Sequence, residues 1–145
     1  MSNGELDRIF REVSDSIQGQ EGRWQFYINE VPFMALTDST NNRMRIISPI
    51  TESFNLSDDI KNAALMANFH TALDVKYAIS NDVLWSAFIH PMRELNADQV
   101  YDAVQQVYSA HITFGTTFSS TSLIFPGASE PQEPAKKETR KRQRF

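Results

Sequence analysis

Apolar residues recur near the start of the chain at spacings of three and four: Leu6, Ile9, Phe10, Val13 and Ile17. That stripe predicts an amphipathic helix. Ser2 and Glu5 stand at capping-box spacing, so the helix starts beside Asn3, and the two glycines of Gln18-Gly19-Gln20-Glu21-Gly22 end it. The period then changes to two. Within residues 23–31, Trp24, Phe26 and Ile28 alternate with Gln25, Tyr27 and Asn29, the pattern of a half-buried strand. A turn at Asn29-Glu30 leads to a second strand from Val31 to Leu36, with Pro32 near its start, where proline is tolerated. The run from Asp38 to Asn42 is a turn by composition, and residues 43–50, RMRIISPI, form a third strand.

Ser57, followed by Asp58 and Asp59, opens a second helix, with acids at its positive end. Ile60, Ala63, Ala64, Leu65, Met66, Ala67 and Phe69 cover nearly its whole circumference, so it is expected to be buried on more than one side. A sheet can cover one side and a second subunit the other, which makes Ile60, Met66 and Phe69 the expected dimer-interface residues. Val75, Tyr77 and Ile79, a turn at Ser80-Asn81-Asp82 and the run VLWSAFIH (83–90) predict a hairpin. Asn96 and Gln99 repeat the capping-box spacing before a third helix carrying Val100, Val104, Val107, Tyr108 and His111, which stops or kinks at Gly115. Residues 116–126 fit a helix extension, a short strand or an extended segment. The expected order is α-β-β-β-α-β-β-α, an α+β domain with a predominantly antiparallel sheet packed by helices.

Composition narrows the class. With 145 residues the chain makes one domain, and without cysteine it has no disulfide, thiolate metal site or Cys nucleophile. Hydrophobic residues at 41% and charged residues at 22% suit a globular domain. The apolar runs fall far short of the roughly 20 residues of a membrane helix, and the first ten residues lack the order of a signal peptide. A cytoplasmic protein without membrane insertion is the expectation.

Charge is unevenly spread. Residues 1–127 hold 8 Lys and Arg against 15 Asp and Glu and stand at -7, whereas residues 128–145 hold 6 against 3 and stand at +3. The tail cannot bury enough apolar area to offset its ordering entropy, so a disordered basic tail is expected after a single domain at 1–127. An acidic body repels a phosphate backbone, which argues against a nucleic-acid partner.

Little in the chain signals catalysis. His70, His90 and His111, with Asp74 as a fourth group, match no established metal-ligand spacing. No glycine-rich phosphate loop occurs, and the hydroxyl run Ser119-Ser120-Thr121-Ser122 lies in no GxSxG elbow. No enzyme, metal site or cofactor is expected. Arg43 and Arg45 share one strand face, where they pair with the acidic body or grip a small anion.

The aromatic residues carry more information. Trp24 and Phe26 oppose Tyr27, and Leu84 and Phe88 oppose Val83, Trp85 and Ile89. One helix layer covers one face of a sheet, so the other face is expected to meet a partner. Tyr27 and Trp85, with Met44 or Ile46 if their strand presents them there, are the expected partner-binding residues.

The order of elements, together with Asn42-Arg43-Met44-Arg45-Ile46, Leu65-Met66-Ala67-Asn68-Phe69 and the exit His90-Pro91 with Leu95, resembles the YbjN-like family. Its fold is that of the type III secretion chaperones of the Tir-chaperone class. The resemblance spans roughly residues 5–115 and leaves the basic tail outside. It implies a small homodimer, without enzymatic activity, that acts as a chaperone or assembly adaptor and captures an extended segment of a protein client. The alternative is a regulatory module that binds a small anionic ligand through Arg43 and Arg45.

Overall fold

The Ser2 hydroxyl accepts the Glu5 N–H at 3.2 Å and caps α1 (Asn3–Val13). In this computed structural model residues 1–121 are described; the tail expected at 128–145 lies outside them. Leu6, Ile9 and Phe10 are buried on one side of α1. Ile17 does not continue that stripe. The helix ends at Ser14, whose backbone is extended, and Ile17 belongs to a strand, β1 (Ser16–Gln20), that the sequence pattern missed. The reason is local: β1 alternates one aliphatic residue and a glycine with serine and glutamines, too weak a signal for a strand. Gly19 sits in it at a φ of 110°, and a Cβ there would lie 2.3 Å from the Arg23 carbonyl oxygen.

β2 (Arg23–Ile28) and β3 (Val31–Asp38) are joined through Asn29 and Glu30, whose φ angles of 48° and 69° match a two-residue hairpin with both central residues left-handed. β4 (Arg43–Glu52) passes through a bulge between Pro49 and Thr51 and runs on past Ile50, where the sequence pattern ends it. After a short 3-10 turn, the Ser57 hydroxyl caps α2 (Asp58–His70), accepting from Ile60 N–H. β5 (Lys76–Ser80) and β6 (Val83–His90) form the expected hairpin, again with two left-handed residues, Asn81 and Asp82. The Asn96–Gln99 capping box starts α3 (Ala97–Thr113). Residues 116–121 form neither helix nor strand, although Phe118 and Ser120 are buried.

The six strands make one antiparallel sheet in the order β1-β2-β3-β4-β6-β5. The architecture is the expected α+β one, with β1 added at one edge. α1 and α3 cover a single face, where Phe10, Phe26 and Phe33 stack in series with ring centroids 5.0 Å apart and Trp24 meets Phe10 edge-on at 5.1 Å. Met44 and Ile46 join this core at 2% and 0% exposure, not the partner face where they were expected. Strand parity decides this: both pair across β4–β6 with His90 and Phe88, on the helix side.

α2 also departs from expectation. It buries only Ala64 and Ala67, while Leu65, Met66 and Phe69 are exposed. The helix docks on the outer edge of β5 rather than across the sheet, and close approach to a backbone edge calls for small residues there. Asn68 makes the contact: it accepts from Tyr77 N–H at 2.8 Å and donates to Tyr77 O at 3.1 Å. Lys76 adds bonds to the Asn68 and Leu73 carbonyls near the end of the helix.

Candidate partner-binding face

Helices cover one side of the sheet; among the described residues the other side is open. Cross-strand register sorts its side chains into three rows. The first contains Ser16, Tyr27, Pro32, Pro49, Trp85 and Ala78: Tyr27 pairs with Ser16 and Pro32, and Trp85 with Pro49 and Ala78. Pro32 and Pro49 line the same groove, which joins the two halves of the row. The second runs Gln18, Gln25, Met34, Ile47, Ala87, Lys76. The third runs Gln20, Arg23, Leu36, Arg45, Ile89 and alternates cation with aliphatic side chain.

Two adjoining shallow grooves of about 440 and 450 Å³ connect the rows. One lies against Tyr27, Pro32 and Pro49, the other against Arg23 and Leu36, and both touch Gln18, Gln25 and Met34. Together they form a trough along the strands from the aromatic row to the arginine row. Tyr27 is 50% and Ile89 56% exposed; Trp85 is half-buried, with its indole N–H donated to the Ser80 carbonyl at 3.1 Å. Such a face offers rigid aromatic area with a modest entropy cost on contact. The structure therefore puts Tyr27 and Trp85 on one face, in one row, and puts Met44 and Ile46 on the other. Pro32, Met34, Leu36, Ile47 and Pro49 were missed as members of the face. The signal that finds them is parity: once the Asn29-Glu30 turn fixes Tyr27 opposite Pro32, every second residue of β3 follows.

The expected dimer residues fall elsewhere. Met66 and Phe69 are 65% and 84% exposed on the outer side of α2 beside Leu65 at 65%, while Ile60 is half-buried. Phe54, in the turn before α2, is 73% exposed.

The histidines remain apart in role. His70 ends α2 with its ring edge-on to Phe69, and His90 bonds through Nδ1 to the Pro91 carbonyl at 2.8 Å. His111 meets a hydroxyl, with Ser48 Oγ 2.7 Å from its Nδ1. The same Oγ lies 2.6 Å from the Pro32 carbonyl oxygen, which only accepts, so the single hydroxyl proton goes there and His111 Nδ1–H is the donor to Ser48. The pair is thus wired opposite to a nucleophile and its general base. Burial holds the His111 imidazole below its ordinary pKa. Among the described residues Arg43 donates to the Asn42 carbonyl and Arg45 has no partner; both are exposed, and no enclosed pocket for a small anion forms around them there.

No family model matches the chain, and no curated protein does. Solved structures do match. The backbone is similar to that of a chain in the HopA1-SchA chaperone-effector complex, with TM-score 0.58 and 10% identity over 75% of this chain and 88% of that one. A chain of the ExsC-ExsE complex matches at TM-score 0.56 and 12% identity, over 77% and 92%. The third match is the Yersinia pestis type III secretion chaperone SycH in complex with a stable fragment of YscM2, at TM-score 0.58 and 10% identity, over 77% and 98%. At these identities the likeness is one of fold: the chain has an α+β fold like that of secretion chaperones. No helix among the described residues is long and apolar enough to cross a membrane.

Proposed function

We propose that this chain is a non-enzymatic cytoplasmic chaperone or assembly adaptor that holds an extended segment of a partner protein on the open face of its sheet. The observation that carries this reading is the uncovered row of Tyr27, Pro32, Pro49 and Trp85 above a trough that follows the strands. The similar structures support it, since they include a chaperone-effector complex and a chaperone bound to a fragment of another protein. The Ser48–His111 wiring favours no hydrolytic role for that pair. The second part of the proposal is a homodimer through α2, supported by the continuous exposed patch of Leu65, Met66 and Phe69. Kinship with the YbjN-like family rests on the motif residues alone.

Affinity capture from the native cell, run in parallel with the intact chain and with Trp85→Ala and Tyr27→Ala variants, tests the function. A genuine client is retained by the intact chain and lost from the variants, while circular dichroism and molecular mass stay unchanged. A client retained by both variants puts the binding site elsewhere, and collapse of the Trp85→Ala fold makes Trp85 a core residue.

A further inference from the structure

The open face is the electrostatic exception on an acidic body. Register assigns four of the eight Lys and Arg of residues 1–127 to its strand positions, namely Arg23, Arg43, Arg45 and Lys76. Only two of the fifteen acids join them, Asp38 and Glu52, each at a strand end. Lys76 and Arg43 already spend donors on backbone carbonyls. Asp38 is occupied by Asn41. Arg23 and Arg45 are exposed, flank Leu36 from either side, and have no hydrogen-bond or ion-pair partner among the described residues. Neither has a carboxylate partner among the described residues, and Arg23 lines the end of a trough whose other end is lined by Tyr27.

We propose that the segment captured on this face is an extended peptide with an aromatic or aliphatic anchor over the Tyr27–Pro32–Pro49–Trp85 row and an acidic residue about four positions away, its carboxylate on Arg23 and Arg45. This rests on the sheet-face reading above and names the chemistry of the client. The spacing follows from strand geometry. The arginine row lies four residues along each strand from the aromatic row, about 13 Å at roughly 3.3 Å per residue, and an extended segment in the trough advances at the same rate. Arg23 and Arg45 stand two strands apart, about 10 Å between backbones, so two long guanidinium arms converge over Leu36 on one carboxylate or a neighbouring pair. The charge pattern also selects against other occupants. The chain's own tail, at +3, is repelled by the arginine row. A polyphosphate backbone meets two arginines but also the acidic remainder of the body.

Three fluorescent twelve-residue peptides, identical except for Asp, Asn or Lys four positions from a Phe-Leu anchor, are titrated with the intact protein by anisotropy. The Asp peptide is expected to bind about five- to tenfold more tightly than the Lys peptide, with Asn between them and the difference shrinking in high salt. In an Arg23→Glu/Arg45→Glu variant the order inverts, and in Arg23→Gln/Arg45→Gln the three peptides converge; circular dichroism confirms that both variants fold. Equal affinities that all fall on Trp85→Ala would overturn the acidic-client inference and leave the sheet-face reading standing. Binding of no peptide, or binding indifferent to Trp85→Ala, overturns both. Tighter binding of single-stranded oligothymidine than of the Asp peptide overturns the inference in favour of nucleic acid.

Discussion

The amide of Asn68 occupies both outward backbone groups of Tyr77, accepting at 2.8 Å and donating at 3.1 Å. β5 is an edge strand, and an edge with free N–H and C=O groups invites another chain to pair with it. One side chain closes that edge at Tyr77 and fixes the position of α2. Among the described residues β1 pairs only with β2 and is the edge with no such clasp from α2. Asn42 plays a comparable part elsewhere: its side chain accepts from Arg93 N–H at 2.7 Å and donates to Glu94 at 3.0 Å, tying the β3–β4 turn to the segment after β6. Asn42 and Asn68 are thus architectural.

Replacing Asn68 with Ala is expected to destabilise the fold by about 1–3 kcal/mol, because two partly buried backbone groups lose their partners. Urea unfolding measures it. A loss below about 0.3 kcal/mol would mean that water replaces the amide without penalty.

Gly19→Ala is expected to lower stability by roughly 1–3 kcal/mol. The new Cβ would meet the Arg23 carbonyl oxygen at 2.3 Å, on a backbone with φ of 110°. The strain falls on β1, so amide exchange in β1 should accelerate more than in β4. Uniform acceleration across the sheet would show that β1 unfolds only with the whole.

Met66→Glu is expected to convert a dimer into a monomer of unchanged circular dichroism, because Met66 is 65% exposed and a charge there meets water in the single chain. Light scattering reads the mass. A dimer of unchanged mass moves the interface away from α2.

His111 makes stability depend on pH. Its folded-state pKa lies below the ordinary value of 6.5 because burial disfavours the imidazolium. Below pH 6.5 the unfolded chain therefore binds more protons at this site than the folded one. The contribution is complete above pH 6.5 and is lost as pH falls toward the lowered folded pKa. His111→Asn keeps a donor for Ser48 and removes the titration. The difference between the two proteins' unfolding free energies should then change between pH 7 and 5 and be flat above 7. A difference independent of pH would show the imidazole to be freely protonated in the fold.

Acid acts on the carboxylates in the same direction. Hydrogen bonds from Arg11 and Trp24 hold Asp7 below its usual value, and Asn41 does the same for Asp38. Their contribution is present above about pH 4 and fades as pH falls through the lowered values.

What the sequence determined is everything that periodicity and local chemistry encode. The caps Ser2, Ser57 and Asn96, the Asn29-Glu30 and Asn81-Asp82 turns, and the opposed faces of Trp24 and Tyr27 follow from residue type and spacing within a few positions. β1 was beyond reach because an edge strand of glutamines and one isoleucine has its pairing partner, not its own pattern, to define it. The side taken by Met44 and Ile46 was equally undecided, since alternation fixes two faces but does not say which one the helices cover. α2 shows the same limit. Its circumference is apolar, yet the alanines and Asn68 face the protein while Leu65, Met66 and Phe69 face out. Only tertiary structure decided that, because the surface it meets is a strand edge, where hydrogen bonds and close approach outweigh the area that larger side chains would bury.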